Sequence, residues 1–491
     1  MSLKACLGWL IVCSGLTPAA AGAMSLELHG ERLDLAVRTT ANDAKSPVIG
    51  SQADLSSDIK GVQFKVQLGV EAGAKQTAFQ SIGISPLTRP GAWDSGRAAV
   101  TAVWAPNPGA RFEFNVRDQL RRDFDRPDTI WADFSRRDVS ARESQAGAAA
   151  TFNPMKRLDL RVGANTSSRT VETVVAAATP SAASSSVLDT RSRSAFATLQ
   201  WRPTGRLTFE GGGKMEGMGV AWKAAASGQS DYAFVEPRLD GTYVPWAGGS
   251  LKLGAERVVA PINTDQFVNF LQVANGSANS AFEPDREWRY RVEMQQRMFG
   301  EVQLAASFTS ARLTSVTDLA PIGEAQGPAD IGAGERHQVE ARLTAPLRLP
   351  GWATLNLTAR GAWRDSNVTD PFTGARRRLS GENAYDAEVA LGQTLHDGRL
   401  RWGVTAHANG PASYYQMSQI TTRSVAPGLG TFVEFNPGPV SLQLRLENLI
   451  GGEQAERDTY FAGRRDLGDS GRTQLIRNSN QSVKFTLARK L

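Results

Sequence analysis

The stretch "PVSLQLRLENL", residues 439–449, alternates almost without error: Val440, Leu442, Leu444 and Leu446 are apolar, and Ser441, Gln443, Arg445 and Glu447 between them are polar. Successive side chains of a strand point to opposite faces, so a period of two means a strand with one apolar and one polar face. Alternation alone leaves the neighbour of each face open. The apolar side could meet the core of a soluble sandwich or the lipid around a membrane barrel.

Composition narrows the choice only a little. The chain has 491 residues, 41% hydrophobic and 21% charged, and a mean hydropathy of −0.30. Those values look soluble, but a membrane barrel alternates its apolar residues and averages out as hydrophilic. Gly is abundant at 47, and turn residues recur between short alternating runs, the pattern of an all-β protein. Beyond the first residues no run approaches the roughly 18 apolar residues that a membrane-spanning helix needs, so any crossing must use strands.

The N-terminus carries an export signal. Lys4 is followed by the apolar run "ACLGWLIV" from Ala5 to Val12 and by Ala21-Gly22-Ala23 before Met24, so residues 1–23 read as a secretory signal peptide. A lipoprotein reading at Cys13 competes, but Val12 stands where that signal wants a small residue. Both cysteines, Cys6 and Cys13, fall in the leader; the mature chain then has no disulfide, and losing Lys4 takes the net charge from +6 to +5.

From residue 60 the alternating runs come in pairs with short connections. "GVQFKVQLGVEAG" (61–73) precedes "KQTAFQSIGIS" (75–85), "RAAVTAVW" (97–104) meets "ARFEFNVR" (110–117) across "APNPG", and "ATLQW" meets "RLTFEGGG" at "RPTG". Further hairpins turn at "AGG", after "RMFG", at "RLPG", at "HDG" and at "NPGP". Gly, Pro and Asn are what such turns require. The connections between pairs are long: 121–144, 171–192, 260–287, 314–335 and 451–479. Short turns alternating with long loops are the outer-membrane signature, short ones facing the periplasm and long ones the outside. The expected fold is a transmembrane antiparallel β-barrel of about 20 strands, in the range 18–22. Residues 24–59 form an N-terminal segment with a first strand near Arg32–Thr39, and 60–491 form the barrel.

Tryptophan supports this orientation. Trp104, Trp201, Trp246, Trp352 and Trp402 lie in or beside the short turns, where a periplasmic aromatic girdle would sit. The bland alternative is that Trp packs well anywhere in a sheet. The last run, "SVKFTLARKL", ends on Leu491 where barrel proteins usually end on an aromatic residue.

The C-terminal half carries more than periodicity. "FEPDREWRYRVEMQQRMFG" (282–300), "GAWRDSNVTDPFTGARRRLSGENAYDAEVALGQTL" (361–395), "LRWGVTAHANGPASYYQMSQITTR" (400–423) and "LRLENLIGGEQAERDTYFAGRR" (444–465) resemble the last strands and loops of TonB-dependent outer-membrane receptors, most like those of alphaproteobacteria. The resemblance covers about residues 232–491 and implies an outer-membrane location in a Gram-negative bacterium. Such receptors carry a TonB-contacting segment and a globular plug. Only 36 residues, 24–59, separate the expected cleavage site from the first hairpin, so no plug is expected there. The resemblance therefore implies a receptor-type barrel acting as a passive or partner-gated channel or transporter, and not an energised siderophore receptor.

A barrel of this size encloses a wide polar lumen. Arg117, Arg161, Gln443, Arg445 and Glu447 read as lumen-facing, together with Gln63, Lys65, Gln67, Glu113, Asn115 and Asp159, a mixture without a single sign. Two basic stretches, Arg376-Arg377-Arg378 and Arg121-Arg122, read as loop patches. They are suited to phosphate or carboxylate groups such as those of lipopolysaccharide, or are solvated charges balanced by Asp123, Asp125, Asp128 and Asp133. Four histidines and no mature cysteine give no metal-ligand spacing, and no cofactor is expected. His407 and Asn409 share a strand face, the one hint of a barrel hydrolase; a lone lumen histidine is the plainer reading. Gly211-Gly212-Gly213 precedes no helix and is not a nucleotide fingerprint, and nothing points to nucleic acid. Expected partners are outer-membrane lipid, lipopolysaccharide and a separate plug or envelope protein. The competing function is a non-conducting surface anchor or receptor for another envelope or extracellular component.

Overall fold

The computed structural model describes residues 22–489 except 29–30, 43–47, 60–61, 80–86, 126–133, 178–183, 224–226, 261–282, 300, 323–324, 349–353, 396–397, 439 and 479–480. The expected leader lies outside the described residues apart from Gly22 and Ala23, as does Trp352. Among the described residues two compact units are present, the first within 22–199 and 212–235, the second within 200–211, 236–260 and 283–489.

The strands in chain order are β1 (Gly22–Leu28), β2 (Glu31–Asn42), β3 (Val48–Ile59), β4 (Val62–Phe79), β5 (Leu87–Asn107), β6 (Ala110–Asp125), β7 (Phe134–Met155), β8 (Leu158–Ala177) and β9 (Ser184–Thr204). Then come β10 (Leu207–Lys223), β11 (Ser227–Tyr243), β12 (Gly249–Val259), β13 (Arg286–Met298), β14 (Val302–Ser315), β15 (Thr317–Ile322), β16 (Ala325–Asp330), β17 (Gly334–Leu347) and β18 (Leu355–Thr369). The last are β19 (Arg376–Arg377), β20 (Tyr385–Leu395), β21 (Leu400–Asn409), β22 (Ala412–Tyr415), β23 (Gln419–Val425), β24 (Gly428–Phe435), β25 (Val440–Glu447), β26 (Glu453–Phe461), β27 (Asp469–Asn478) and β28 (Ser482–Arg489). Among the described residues 22 strands share one sheet, at the upper end of the expected count and including the two-residue β19. The hairpin β15–β16 and the four-stranded β22–β23–β26–β27 stand apart from it.

Pairing is antiparallel, each strand with its neighbour in sequence through β8. In the second unit β12, β13, β14, β17, β18, β20, β21, β24, β25 and β28 follow one another, and the chain leaves the sheet wherever a long loop intervenes. The register sorts the side chains by polarity. Leu253, Val292, Phe308, Val339, Trp363 and Tyr385 stand directly opposite one another on six successive strands. All six are 43–54% exposed. A contiguous row of large apolar side chains open to the surroundings is what a lipid-facing belt looks like, and a soluble monomer rarely carries one. The opposite row, one residue along, is Lys252, Glu293, Ser307, Glu340, Ala362 and Asp386.

Several sequence expectations change. The runs 61–73 and 75–85 are not a hairpin: β4 passes straight through, with Gly73 paired to Trp93 and Ala74 to Ala92. Residues 22–59 hold three strands where one was expected, and β2 and β3 pair into the main sheet. The "loops" 121–144 and 171–192 are largely strand, because β7, β8 and β9 are 22, 20 and 21 residues long. About ten residues cross a bilayer, so the remainder stands in water on both faces. There the hydropathy alternation ends while the hydrogen-bond ladder continues.

The two faces make a direct prediction. Phe308→Arg, in the middle of the belt row, lowers stability in lipid vesicles by about 2–4 kcal/mol. Ser307→Arg, one residue away on the polar face, changes it by less than about 1 kcal/mol. Guanidinium unfolding followed by tryptophan fluorescence distinguishes the two.

Candidate functional site

The polar face neutralises itself partly within single strands and partly between them. Residues two apart on a strand share a face, and Lys214 pairs with Glu216 at 2.6 Å, Arg238 with Asp240 at 2.5 Å, Arg291 with Glu293 at 3.1 Å and Arg445 with Glu447 at 3.5 Å. Cross-strand pairs add to these, Arg289 with Glu256 at 3.2 Å, Arg336 with Glu287 at 3.1 Å and Arg401 with Glu434 at 3.3 Å. The residues read from the sequence as lumen-facing share this kind of face. Arg117 donates to Gln119 at 2.7 Å, Arg161 lies 3.6 Å from Glu113 and over the ring of Phe196, and Gln443 stands opposite Glu434.

One region of this face in the second unit is concave. It encloses about 590 Å³ over β13, β14, β17, β18, β20 and β21, and Arg342, Arg360, Arg364, Asp386, Glu388 and His407 line it. Arg360 binds Glu388 at 2.8 Å and Arg364 binds Asp386 at 3.2 Å. The register sets His407 opposite Glu388 and Asn409 opposite Asp386, so the sequence's suggestive pair joins this patch. Small residues, Ala305, Ser307 and Ala362, make the hollow. The sequence reading missed Arg342, Arg360, Arg364, Asp386 and Glu388. Their signal was available as the polar positions alternating with Val339, Trp363 and Val389, but only the register brings the four strands together.

The long loops meet in a second polar cluster, centred on a carboxylate. Asp370 is 1% exposed. Its Oδ1 accepts the amides of Phe372 at 2.9 Å and Thr373 at 3.1 Å, closing its own turn, and its Oδ2 accepts Arg377 Nε and Arg465 Nη2, each at 2.6 Å. Arg377 Nη2 reaches Asp318 Oδ2 at 2.9 Å on the β15–β16 hairpin. Arg377 lies over the ring of Tyr415 at 4.4 Å, and Arg465 over Phe372 at 5.2 Å and Tyr415 at 5.6 Å. Arg465 Nε also donates to Gln416 O at 2.5 Å, and Met417 N to Gln326 Oε1 at 2.6 Å. Two carboxylates and two guanidiniums thus balance while tying four loop segments together. Burial alone would push the Asp370 carboxyl up, but the Arg465 guanidinium and the Phe372 amide outweigh it and hold it below the ordinary range.

The basic patches fare differently from the sequence reading. Arg377 is buried in this cluster and is no free binding group, while Arg378 donates to the carbonyl of Arg364 at 2.6 Å and Arg376 stays exposed. Arg121 and Arg122 lie on β6 and not in a loop, and Arg121 grips Asp123 through both nitrogens at 2.9 and 3.1 Å. Of the five tryptophans expected at the short connections, the four described, Trp104, Trp201, Trp246 and Trp402, sit beside them. Trp104 stacks on Phe112 at 5.2 Å, Trp201 on Phe209 at 5.9 Å, and the indole N–H groups of Trp246 and Trp402 donate to Gln296 at 2.6 Å and Gln393 at 2.9 Å.

No protein-family model matches this sequence, and no curated protein does. Solved structures match its fold. The ferric yersiniabactin uptake receptor FyuA from Yersinia pestis superposes with a TM-score of 0.68 at 12% identity, over 95% of this chain and 76% of that one. The copper transporter OprC gives 0.69 at 13%, over 93% and 75%. The ferric-catecholate import receptor Fiu from E. coli K12 gives 0.66 at 9%, over 94% and 79%. The fold is therefore similar to that of solved outer-membrane receptors. More particularly, it is the fold of the TonB-dependent receptors. The three matched proteins are receptors or transporters, and none is an enzyme.

The Asp370 cluster sets a pH-dependent expectation. Because the carboxyl is held below its ordinary value, its contribution is complete above the carboxylate range and is lost as pH falls through the folded-state value. Asp370→Asn removes it at neutral pH, leaving two buried guanidiniums short of a partner at a cost of about 3–5 kcal/mol. Limited proteolysis at pH 7 is expected to cut the variant within 412–425 or 453–478 while the wild type resists. The stability difference between the two should shrink below the unperturbed Asp value of 3.8.

Proposed function

We propose that this chain forms a receptor-type β-barrel in the outer membrane of a Gram-negative bacterium, with its polar face lining a solute path that is passive or gated by a partner. The observation that carries this is the two-faced register: an exposed apolar row on six strands with charge-paired residues on the alternate positions. An outer face of that kind belongs against hydrocarbon, and an inner face of balanced charge suits a hydrated passage. Lipid meets the belt, Trp104, Trp201, Trp246 and Trp402 anchor the end with short turns, and lipopolysaccharide meets the charged rim at the other end. A separate plug or envelope protein is the natural gate for so wide an opening.

The anchor reading has its own support in the loop layer. The Asp370 cluster and the two small sheets outside the main one give the loops a fixed surface, as a docking platform would need. Purified protein in planar bilayers decides between them. Stepwise conductance that persists at low applied voltage supports the path; a silent, folded barrel that retains one envelope protein on pull-down supports the anchor.

A further inference from the structure

Within the concave patch, Arg342 differs from the two arginines beside it. Its neighbours two residues away on the same face are Thr344 and Glu340, and Glu340 already accepts a hydrogen bond from Gln338 Nε2. Arg342 makes no hydrogen bond or ion pair with the described residues, whereas Arg360 and Arg364 in the same hollow each hold a carboxylate. The register sets Arg342 directly opposite Arg360 on β18 and opposite Ala305 on β14. Like charges directly opposed across two strands are destabilising. Here the repulsion is relieved on one side only, by Glu388 at Arg360.

Two guanidiniums side by side, only one of them ion-paired, stand beside the small side chains of Ala305 and Ala362 in a hollow of about 590 Å³ that Glu293, Glu340, Asp386 and Glu388 also line, and they offer N–H donors to an oxyanion. Guanidinium presents paired N–H donors that match carboxylate and phosphate oxygens and keeps its charge at any physiological pH. The small side chains of Ala305 and Ala362 leave room above the sheet at this point. We infer that Arg342, with Arg360 beside it, binds the carboxylate or phosphate group of a small solute on the polar face. This deepens the transport reading by naming the chemistry of what passes, and it rests on solute having access to that face.

The test is binding, read apart from ion flow. Labelled citrate and inorganic phosphate are titrated in parallel against the full chain folded in detergent, with glucose as the uncharged probe. Citrate, phosphate or both bind, glucose does not, and added salt weakens the interaction. Preference for one of the two assigns the group as carboxylate or phosphate. Arg342→Gln weakens binding by about tenfold or more, the loss of a charge-assisted hydrogen bond. Arg312→Gln, on the opposite face of β14, leaves it unchanged. Arg342→Lys keeps the charge without the fork and falls between; it carries the same comparison should Arg342→Gln fail to fold. Absence of binding by wild type, or equal binding by wild type and the Arg342 variants, overturns the inference. A silent bilayer experiment with intact binding instead counts against the channel alone.

Discussion

A strand that meets hydrocarbon on one side has nowhere to leave a backbone amide unpaired, since no water is at hand to take its hydrogen bond. Everything else in this molecule follows from that constraint. Each strand must find two neighbours, so the strands assemble into one extended antiparallel sheet. The sheet's two faces then face different solvents, and a period of two is written into the sequence because the side chains must sort between them. Where the chain must do something other than pair, it leaves the sheet: β15–β16, the turn after β18, β22–β23 and β26–β27 are all excursions after which pairing resumes with the next free strand.

That logic explains what could be read in the sequence. Wherever one face meets lipid, alternation is strict and the strand is visible, as in Val440–Glu447, whose partners Val433, Phe485 and Val483 complete an apolar row with Leu444 and Leu446. Where strands rise beyond the lipid, both faces are wet and the signal vanishes. Arg121, Arg142 and Glu172 then look like loop residues although each sits in the ladder. Polar positions could be assigned to a face by parity alone. Their grouping could not, because Arg342 meets Arg360, and Glu388 meets His407, only once the register of each hairpin is fixed.

The motif from Ser366 to Glu382 owes its recognisable form to packing. Asp370 and Arg377 form the buried pair, Gly374 and Gly381 take positive φ of 70° and 75°, and the Ser366 hydroxyl donates to Glu382 while accepting the amide of Leu379 at 3.1 Å. Val368 joins Ala311, Leu313 and Val316 in the small apolar core beneath, with Leu379 against it. The central arginine that looked like part of a surface patch is thus an internal strut. A run of three basic residues says nothing about which one turns inward; the aspartate seven residues earlier does.

Charge pairing between residues two apart has a consequence for assembly. Lys214 with Glu216, Arg238 with Asp240, Arg291 with Glu293 and Arg445 with Glu447 each cancel within their own strand. A newly arriving hairpin therefore brings part of its polar face already balanced, while charges such as Arg336 and Arg401 wait for Glu287 and Glu434 on another strand. Where a pair closes within one strand, that stretch of the face can vary without stranding a counter-ion on the next.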